Sequence, residues 1–317
     1  PDAVARLREI GVEPLGSFIR GIRYVDGDLS AEGTFPESGG LGVRRLTLHE
    51  DLVRRAGETG VELLWGVSVR VIYGEKVETD KGHLHGRWIV GADGLLSRVR
   101  RWARLEGGPG PVRRFGVRRH HAISPWTDLV EVHWGPGCEA YVTPVSHDEV
   151  GIALLWSGGP ASFDQLIGHF PDLRARLAGA PVTSRDRGAG PLHQKATGVC
   201  SGNVALVGDA SGYLDAITGE GLAVALHQSA ALVEAIQAGD LSLYAEAHRR
   251  IMRLPDFMTS MVLSLERRPH LRRRALRALA AEPALFSRLL GIHGRTLAAR
   301  ELGLDGALKL AWRLVAA

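Results

Sequence analysis

Apolar and polar residues alternate through much of the first half of the chain, a pattern typical of half-buried β-strands. Alternation around an Asp-Gly-Asp turn predicts a hairpin over residues 21–35, and a second hairpin is predicted over 76–84. A longer alternation predicts a strand over 61–71, and Trp88-Ile89-Val90 is predicted as a short buried strand. Residues 112–157 carry the same β-rich pattern, so sheets are expected to dominate this half.

Other segments repeat apolar residues every three or four positions, as amphipathic helices do. The helices predicted before residue 200 cover 1–10, 47–59, 95–105 and 162–177. From Gly219 onward the chain is mostly helical, with breaks predicted at 239–240, Pro255, Pro269 and Pro283. The pattern therefore predicts β/α segments on both sides of a β-rich insert, followed by a helical tail.

Length and composition fit a globular protein with a sizeable core. The chain has 317 residues, 45% of them hydrophobic and 23% charged, enough for two domains or one domain with a large insertion. No run approaches the roughly 20 apolar residues of a spanning helix. Cys138 and Cys200 form neither a disulfide framework nor a zinc spacing, which favours a reducing, cytoplasmic setting.

The net charge is +4, and arginine supplies most of the positive charge. The arginines concentrate in two clusters, one at residues 98–114 and one at residues 267–277. Nucleic-acid binding is not expected, because aromatic interleaving and known binding modules are missing from the sequence. Solvated helix faces, cofactor phosphates and peripheral contact with the inner face of a membrane through residues 267–290 remain alternatives, and a structural lid explains the second cluster equally well.

A candidate site follows the apolar strand Val204–Val207. The strand runs into Gly208 and Asp209, and a glycine-spaced turn leads to an alanine-rich helix. The Asp209 carboxylate can accept hydrogen bonds from a polyhydroxyl chain, and the helix N-terminus can stabilise negative charge, which suits the ribityl and pyrimidine parts of a flavin. Gly219 and Gly221 would let backbone N–H groups approach that ring. An ordinary strand–turn–helix connection with Asp as a turn residue explains the pattern equally well.

A second candidate site is the D-G-x-x-S-x-x-R motif formed by Asp93, Gly94, Ser97 and Arg100 behind the buried strand. Gly94 permits a tight turn, Ser97 can cap the next helix, and Arg100 lies about one turn inside it. Helix N-terminus, hydroxyl and guanidinium together suit a pyrophosphate. A plain strand–helix turn with an exposed arginine is the alternative. A third, weaker candidate is Arg45, which precedes an amphipathic helix.

In this order and spacing, the three motifs resemble the FAD-dependent oxidoreductases that include aromatic-ring hydroxylases, squalene-type epoxidases, flavin-dependent halogenases and geranylgeranyl reductases. The matching positions are Arg45, Leu48 and Leu52; Asp93, Gly94, Ser97 and Arg100; and Gly208, Asp209, Ala210, Gly212, Asp215, Thr218, Gly219, Glu220 and Gly221. The resemblance covers Pro1 to about residue 250. It implies that Arg45 contacts FAD, that Asp93 to Arg100 lie near the pyrophosphates of FAD and NAD(P)H, and that Gly208 to Glu220 and Gly221 bind the ribityl and ring end.

The resemblance also shows two departures from the family. Ala216 stands where a proline is usual, so that turn is expected to be less rigid. The family's first strand, its G-x-G-x-x-G turn and the acidic residue that binds the adenosine ribose do not occur in this sequence, and we expect them to precede Pro1. As given, the chain is expected to bind FAD poorly, because the glycine-rich turn makes the closest approach to the pyrophosphate.

The predicted fold class is α/β (mixed α+β): a Rossmann-like FAD-binding domain, an inserted antiparallel β-sheet substrate domain and a C-terminal helical region. The predicted FAD-binding domain is discontinuous and covers 1–15, 43–111 and 188–240. The substrate domain covers 16–42 and 112–187, and the helical region covers 241–317.

The substrate is expected to be an apolar or aromatic small molecule resting on the β-rich insert, with Tyr141, Pro144 and Trp156 as candidates for the pocket wall. For Trp156, a place in the structural core is favoured over the pocket wall. His120 and His121 are not predicted to share a metal, because adjacent strand residues point to opposite faces. No metal site or catalytic triad is expected, since FAD carries the chemistry in this family.

Two activities and one non-catalytic role follow from the resemblance. The preferred prediction is an NAD(P)H-driven monooxygenase that hydroxylates or epoxidises its substrate. The alternative is a geranylgeranyl-reductase-like enzyme that reduces isoprenoid double bonds, although the Trp and Phe of that branch's Tyr-x-Trp-x-Phe-Pro-like motif are not evident around Tyr141. The third is a non-catalytic remnant of the flavin fold. The substrate's identity, the choice of NADH or NADPH and the oligomeric state are not determined by the sequence.

Overall fold

A computed structural model describes residues 1–36, 39–108, 110 and 113–303 of the chain. The chain divides into two compact units. Unit 1 comprises Pro1–Leu52, Arg114–Ala189 and Ser260–Ala317, and unit 2 comprises Val53–Arg113 and Gly190–Thr259. Residues 304–317 of the predicted helical tail lie outside the described residues.

The helices of the described chain are α1 (Asp2–Glu9), α2 (Arg45–Glu58), α3 (Arg98–Trp102), α4 (Phe163–Ile167), α5 (Pro171–Arg176), α6 (Gly221–Ala238), α7 (Leu241–Glu266), α8 (Pro269–Ala281) and α9 (Pro283–His293). The strands are β1 (Ser17–Ile19), β2 (Gly21–Asp26), β3 (Leu29–Thr34), β4 (Gly40–Gly42), β5 (Val69–Tyr73), β6 (Lys76–Thr79), β7 (Gly82–His85), β8 (Ile89–Gly91), β9 (Arg114–Ala122), β10 (Leu129–Gly135), β11 (Cys138–Pro144), β12 (Glu149–Ser157), β13 (Arg187–Ala189), β14 (Cys200–Ser201) and β15 (Val204–Leu206).

Unit 1 is built on a seven-stranded sheet with the order β13-β9-β12-β11-β10-β2-β3. Neighbouring strands run antiparallel except β2 and β10, which pair in parallel. The insert was predicted to be an antiparallel sheet, and the β2–β10 pair makes the observed sheet mixed. The β2–β3 hairpin turns at Gly27, whose φ of 63° is a left-handed conformation that glycine adopts without a steric penalty.

The two faces of this sheet have different coverings. On one face Ile152, Leu154 and Trp156 of β12 pack in a buried core with residues of α4 and α5, including Phe163; we call this the core face. The other face carries the alternate positions of β12, including Ala153, and at β3 it is covered by α8 and α9; we call this the second face. A Cβ on Gly33 of β3 would lie 2.8 Å from Phe286 of α9, so only glycine allows this close packing.

Unit 2 contains a three-stranded sheet with the order β14-β15-β8, in which β15 and β8 are parallel. A turn after β15 leads to α6, and α6 packs with the first part of α7 on Ala205 of β15 and on Val199, which precedes β14. Parallel strands followed by a covering helix are the expected Rossmann-like arrangement. A separate antiparallel sheet, β5-β6-β7, includes the predicted hairpin of 76–84.

Four predicted elements differ from the structure. The strand predicted over 61–71 is confined to β5, because the preceding segment turns at Gly66 (φ 65°) and leaves Val61 and Trp65 exposed. The helix predicted over 95–105 shortens to α3, since Arg104 adopts φ 58° and ends it. Residues 162–177 form two helices, because Pro171 is the first residue of a new helix, α5.

The fourth difference is at Pro255, where a helix break was predicted. Helix α7 instead continues through Pro255 over 26 residues. Buried residues on both sides of the proline, Tyr244 before it and Leu263 after it, hold the helix in place. Tertiary packing therefore outweighs the local cost of the missing N–H group.

The two units differ from the predicted domains at several boundaries. Residues 1–15 and 43–52 belong to unit 1, and the tail from 241 is divided at Thr259 between unit 2 and unit 1. The insertion boundaries at 113/114 and 189/190 lie close to those predicted. Which unit binds FAD and which binds substrate stays a prediction. Among the described residues, every helix is too short or too polar to cross a membrane.

Candidate functional site

The strand β15 ends in the turn that the sequence singled out. Gly208–Ser211 form a short 3₁₀ turn, and α6 begins at Gly221 with Glu220 as its N-terminal cap. Gly208 and Gly219 have φ values of 60° and 73°. These are left-handed conformations that glycine adopts without a steric penalty, so the glycine spacing of the motif has a direct backbone cause.

Side chains from α6 and α7 hold this turn in place. The backbone N–H of Gly208 donates to Gln228 Oε1 at 2.7 Å, and the Ser211 hydroxyl donates to the Gly208 carbonyl at 2.8 Å. His248 Nε2 lies 3.0 Å from Ser211 Oγ. Gln228, Ser211 and His248 are all buried. The sequence analysis missed these residues, because a polar residue on an otherwise apolar helix does not show its partner.

Tyr244 adds a further restraint one turn before His248. Its hydroxyl donates to the carbonyl oxygen of Leu206 in β15 at 2.6 Å, and the side chain is fully buried. Burial raises the pKa of Tyr244 and lowers the pKa of His248 to about 4. His248 is therefore neutral near pH 7, which suits a hydrogen bond to a hydroxyl without a buried charge.

The D-G-x-x-S-x-x-R motif forms the start of α3. The Asp93 carboxylate accepts from the Ser97 hydroxyl at 2.5 Å and from the Arg98 and Val99 N–H groups at 2.7 and 3.1 Å. Ser97 Oγ in turn accepts from the Arg100 N–H at 2.9 Å. Gly94 has φ 79°, as a tight turn requires. These contacts satisfy N–H groups that a helix leaves unpaired at its start.

Arg100 joins this motif to the Gly208–Ser211 turn. Its Nη1 donates to the carbonyl oxygens of Asp209 at 3.3 Å and Ala210 at 3.0 Å, and its Nη2 donates to Leu95 O and Gln194 Oε1. The residue is only 1% exposed. The predicted place of this guanidinium near a pyrophosphate stays a prediction. Both terminal nitrogens are used inside unit 2, so Arg100 positions the turn.

A pocket in unit 2 lies beside the turn. Its walls include Asp209, Thr218, Glu220, Gly221 and the α7 segment around Asp256. Four of its lining residues are acidic, namely Asp209, Asp215, Glu220 and Asp256, and burial raises the pKa of Asp256. Such a wall accepts hydrogen bonds from hydroxyl groups and disfavours phosphates.

The pocket fits one end of FAD. A Cβ on Gly221 would come within 4.0 Å of Asp209 Oδ1 and of Tyr213, so a side chain there would enter the pocket, whereas a Cβ on Gly219 would meet open space. The first turn of α6 contains no acidic residue and its N-terminal cap makes no side-chain hydrogen bond to it. Asp209 and the start of α6 therefore suit a ribityl chain and a ring edge that carries negative charge.

Arg45 is the first residue of α2 and is exposed in unit 1. It follows Arg44, whose Nη1 donates to Glu149 Oε1 at 2.5 Å. The resemblance to the family assigns the FAD contact to Arg45, and that role stays a prediction.

The three pocket-wall candidates do not share a face of the sheet. Tyr141 pairs in register with Ala153 on the second face, whereas Pro144 pairs with Val150 and Trp156 lies in the core beneath α4 and α5. The structure therefore corrects the predicted wall. Trp156 is structural, with its indole N–H donating to the Gly159 carbonyl at 2.8 Å, and Tyr141 is the candidate that remains.

The remaining sequence candidates also have defined surroundings. In the described part of the chain, no group of three or more His, Cys, Asp or Glu residues is placed to hold a metal. Arg272 pairs with the buried Asp26 at 2.8 Å, and Arg273 pairs with Asp28 at 2.6 Å. Part of the second arginine cluster thus fastens α8 to the β2–β3 hairpin. Membrane contact through 267–290 stays a prediction.

Comparisons with known proteins place this geometry in context. No family model matches the chain. In sequence it is similar to a menaquinone reductase of Mycobacterium tuberculosis, with 27% identity over 278 residues that cover 76% of this chain and 67% of the relative. In structure it is similar to a flavoprotein/dehydrogenase from Cytophaga hutchinsonii, with a TM-score of 0.77, 15% identity, and coverage of 99% of this chain and 84% of the other.

A further similar structure is PqsL of Pseudomonas aeruginosa, described as a probable FAD-dependent monooxygenase. Its TM-score is 0.62 at 19% identity, with coverage of 92% of this chain and 87% of that protein. At these identities the structural matches show the fold alone. The comparisons confirm the resemblance to FAD-dependent oxidoreductases and the mixed α/β flavoprotein fold. The sequence similarity to a reductase agrees with the predicted oxidoreductase class, and FAD as the cofactor stays a prediction.

Proposed function

We propose that this chain is an FAD-dependent reductase that uses NAD(P)H to reduce an apolar substrate of the quinone class. The observation that carries this proposal is the sequence similarity to a menaquinone reductase over 278 residues. That similarity includes three quarters of the chain and exceeds the identity to the structurally similar flavoproteins. The isoprenoid part of such a substrate agrees with the reductase branch that the sequence analysis kept as an alternative.

When bound, FAD supplies the hydride chemistry, and the protein binds, orients and shields the reacting ring. In this proposal the Asp209 carboxylate accepts hydrogen bonds from the ribityl hydroxyl groups. Charge-assisted hydrogen bonds of this kind contribute about 1.5–3 kcal/mol each. The buried bonds from Arg100, Gln228 and His248 matter because they fix the backbone on which this carboxylate stands.

The N-terminus of α6 has the second role. Its 18 residues add their peptide dipoles, and the first turn after the Glu220 cap carries no acidic side chain. Negative charge on the pyrimidine edge of the cofactor would be stabilised there. Glycine at 219 and 221 keeps side chains out of the approach.

The second face of the unit 1 sheet is the proposed place for the substrate, with Tyr141 as its aromatic residue. A monooxygenase remains the second candidate, favoured by the structural similarity to PqsL. The two activities differ in their need for oxygen, because a reductase transfers electrons to the organic substrate whereas a monooxygenase inserts an oxygen atom into it.

The test uses the purified full-length protein with FAD, NADH or NADPH, and menaquinone in detergent, with oxygen removed. We expect a flavin absorption spectrum and NAD(P)H oxidation that depends on the quinone. Mass spectrometry and the ultraviolet spectrum of the product then show whether the ring or an isoprenoid double bond has gained two hydrogens. NAD(P)H oxidation that requires both oxygen and substrate, with an oxygen atom in the product, would favour the monooxygenase. A protein that takes up no flavin would refute both.

A further inference from the structure

Four arginines converge on one part of unit 1. Arg118 of β9 and Arg187 of β13 are directly opposite each other in the antiparallel register. Like charges at such a position destabilise a strand pair. Arg44 and Arg45, at the start of α2, lie near enough to act on the same Arg118 guanidinium. This grouping has no explanation in the core packing of the sheet.

Little negative charge compensates this cluster. Among the described residues, Arg44 is bonded to Glu149, whereas Arg118, Arg187 and Arg45 make no salt bridge. Burial lowers the pKa of Arg118 first, and the three other arginines lower it further. Among the described residues, Glu149 is thus the one carboxylate bonded to this cluster, and it also accepts a hydrogen bond from Thr183.

Arg119, the next residue of β9, is an arginine whose charge is fully paired. Arg119 lies on the core face and is bonded to Asp164 at 2.6 Å and to Asp186 at 2.7 Å. Its guanidinium also lies 4.1 Å from the centre of the Phe163 ring. The chain therefore supplies two carboxylates to one arginine and none to Arg118, one position away.

His120 shares the face of Arg118 and adds no compensating charge. Burial lowers its pKa to about 4, with Arg44 and Arg118 contributing, so the ring is neutral near pH 7. Its Nδ1 lies 3.0 Å from the Ser184 hydroxyl. The N-terminus of α2 has no acidic residue in its first turn, and its dipole adds positive potential beside Arg44.

We propose that Arg44, Arg118 and Arg187 form a binding site for a diphosphate group. Guanidinium groups are planar, stay charged and bind phosphate oxygens with two parallel hydrogen bonds, so several of them match a diphosphate in charge and geometry. Arg118 is half-buried, and its register partner Ala153 has a small side chain that separates it from Tyr141 on the second face. A small anion reaches such a position more readily than a flat membrane surface does.

Two ligands present this chemistry. One is the diphosphate of the dinucleotide reductant, an assignment that rests on the proposed function. The other is a substrate that itself bears a diphosphate, such as a prenyl diphosphate. Binding of the diphosphate group is a property of unit 1 and does not depend on FAD.

The test is calorimetric titration of inorganic pyrophosphate into the full-length protein at low ionic strength. We expect Arg118→Gln and Arg187→Gln each to weaken binding about tenfold, a loss typical of one charge-assisted contact. Salt should weaken binding to the wild type, because exposed charges are screened. The control is Arg20→Gln, since Arg20 is exposed in unit 1 and already paired with Asp128. Unchanged affinity in both variants, or an equal loss in the control, would overturn the site.

Competition distinguishes the two ligands. Displacement of pyrophosphate by NADPH or NADH, with a raised KM for the dinucleotide in Arg118→Gln and an unchanged KM for the quinone, supports the reductant. Displacement by a prenyl diphosphate alone supports the substrate, and displacement by neither overturns a diphosphate ligand. A protein without flavin or activity that still binds pyrophosphate through these arginines would refute the proposed function and leave the site intact.

Discussion

The guanidinium of Arg100 donates a hydrogen bond to the backbone carbonyl of Asp209, the residue proposed to bind the ribityl chain. Two sequence motifs more than a hundred residues apart are thereby joined within unit 2. Arg100 acts on the backbone and Asp209 presents the carboxylate, so one residue sets the position of the other. The two positions are therefore expected to respond differently to substitution.

Replacing Arg100 by methionine is expected to destabilise the fold by about 2–4 kcal/mol, because buried carbonyl oxygens lose their donor. Chemical denaturation of the variant measures this loss. The matched control is Arg101→Gln, at an exposed arginine of the same helix. A variant as stable as the control would show that Arg100 does not brace the turn.

Replacing Asp209 by alanine is expected to weaken FAD retention about tenfold or more while the midpoint of unfolding stays close to that of the wild type. The reason is that its carboxylate lines the pocket whereas its backbone carbonyl, which Arg100 uses, is kept. Flavin occupancy after gel filtration is the measurement. Glu234→Gln, at an exposed acid of α6, serves as the control. Equal flavin occupancy in the two variants would contradict the role.

The free energy of unfolding is expected to fall as the pH drops from about 6.5 toward 4, because of the buried His248. Above pH 6.5 this residue should have no effect on the pH dependence. Burial lowers the pKa of His248 to about 4 in the folded protein, so in this range the unfolded chain binds a proton that the folded protein does not. The slope from one such group reaches at most about 1.4 kcal/mol per pH unit. The same direction holds for His120.

Denaturation at pH 7.5 and pH 5 measures this effect. The difference between wild type and His248→Gln should shrink at pH 5, because glutamine has no charge to acquire. His147→Gln, at an exposed ring, is the control. A wild type equally stable at both pH values would contradict the buried neutral state.

Two glycines offer a matched pair. Gly33→Ala is expected to destabilise the protein by about 1–3 kcal/mol, since its Cβ would lie 2.8 Å from Phe286 and Leu290. Gly57→Ala, in α2 with nothing within 4 Å of the new Cβ, should stabilise it by roughly 0.5–1 kcal/mol. Thermal unfolding measures both, and shifts of the same sign would count against the packing described at β3.

Local patterns predicted much of the fold. The hairpin at Asp26 to Asp28, the strands of the β-rich insert and the helix after Gly221 form where the periodicity placed them. The failures have physical causes: Pro255 remains within a helix because long-range packing holds both sides, and Arg104 ends α3 through a backbone conformation that no side-chain pattern shows.

The candidate site was predicted only in part. Glycine spacing and Asp209 marked the turn, because backbone conformation and pocket chemistry act locally. Gln228 and His248 could not be found, since their partners lie across the fold. The hydrogen bonds of Arg100 to the turn could not be predicted for the same reason, because burial depends on what packs against a residue.

Alternate residues of β12 lie on opposite faces of the sheet and differ in how freely they can be substituted. Ile152, Leu154 and Trp156 are held by the core beneath α4 and α5, whereas the intervening positions, such as Ala153, lie on the second face. A lineage can therefore change the shape and charge of that face by substituting every other residue of one strand. Within one strand, the core positions preserve the fold, while the positions on the second face, the proposed place of the substrate, can change under selection.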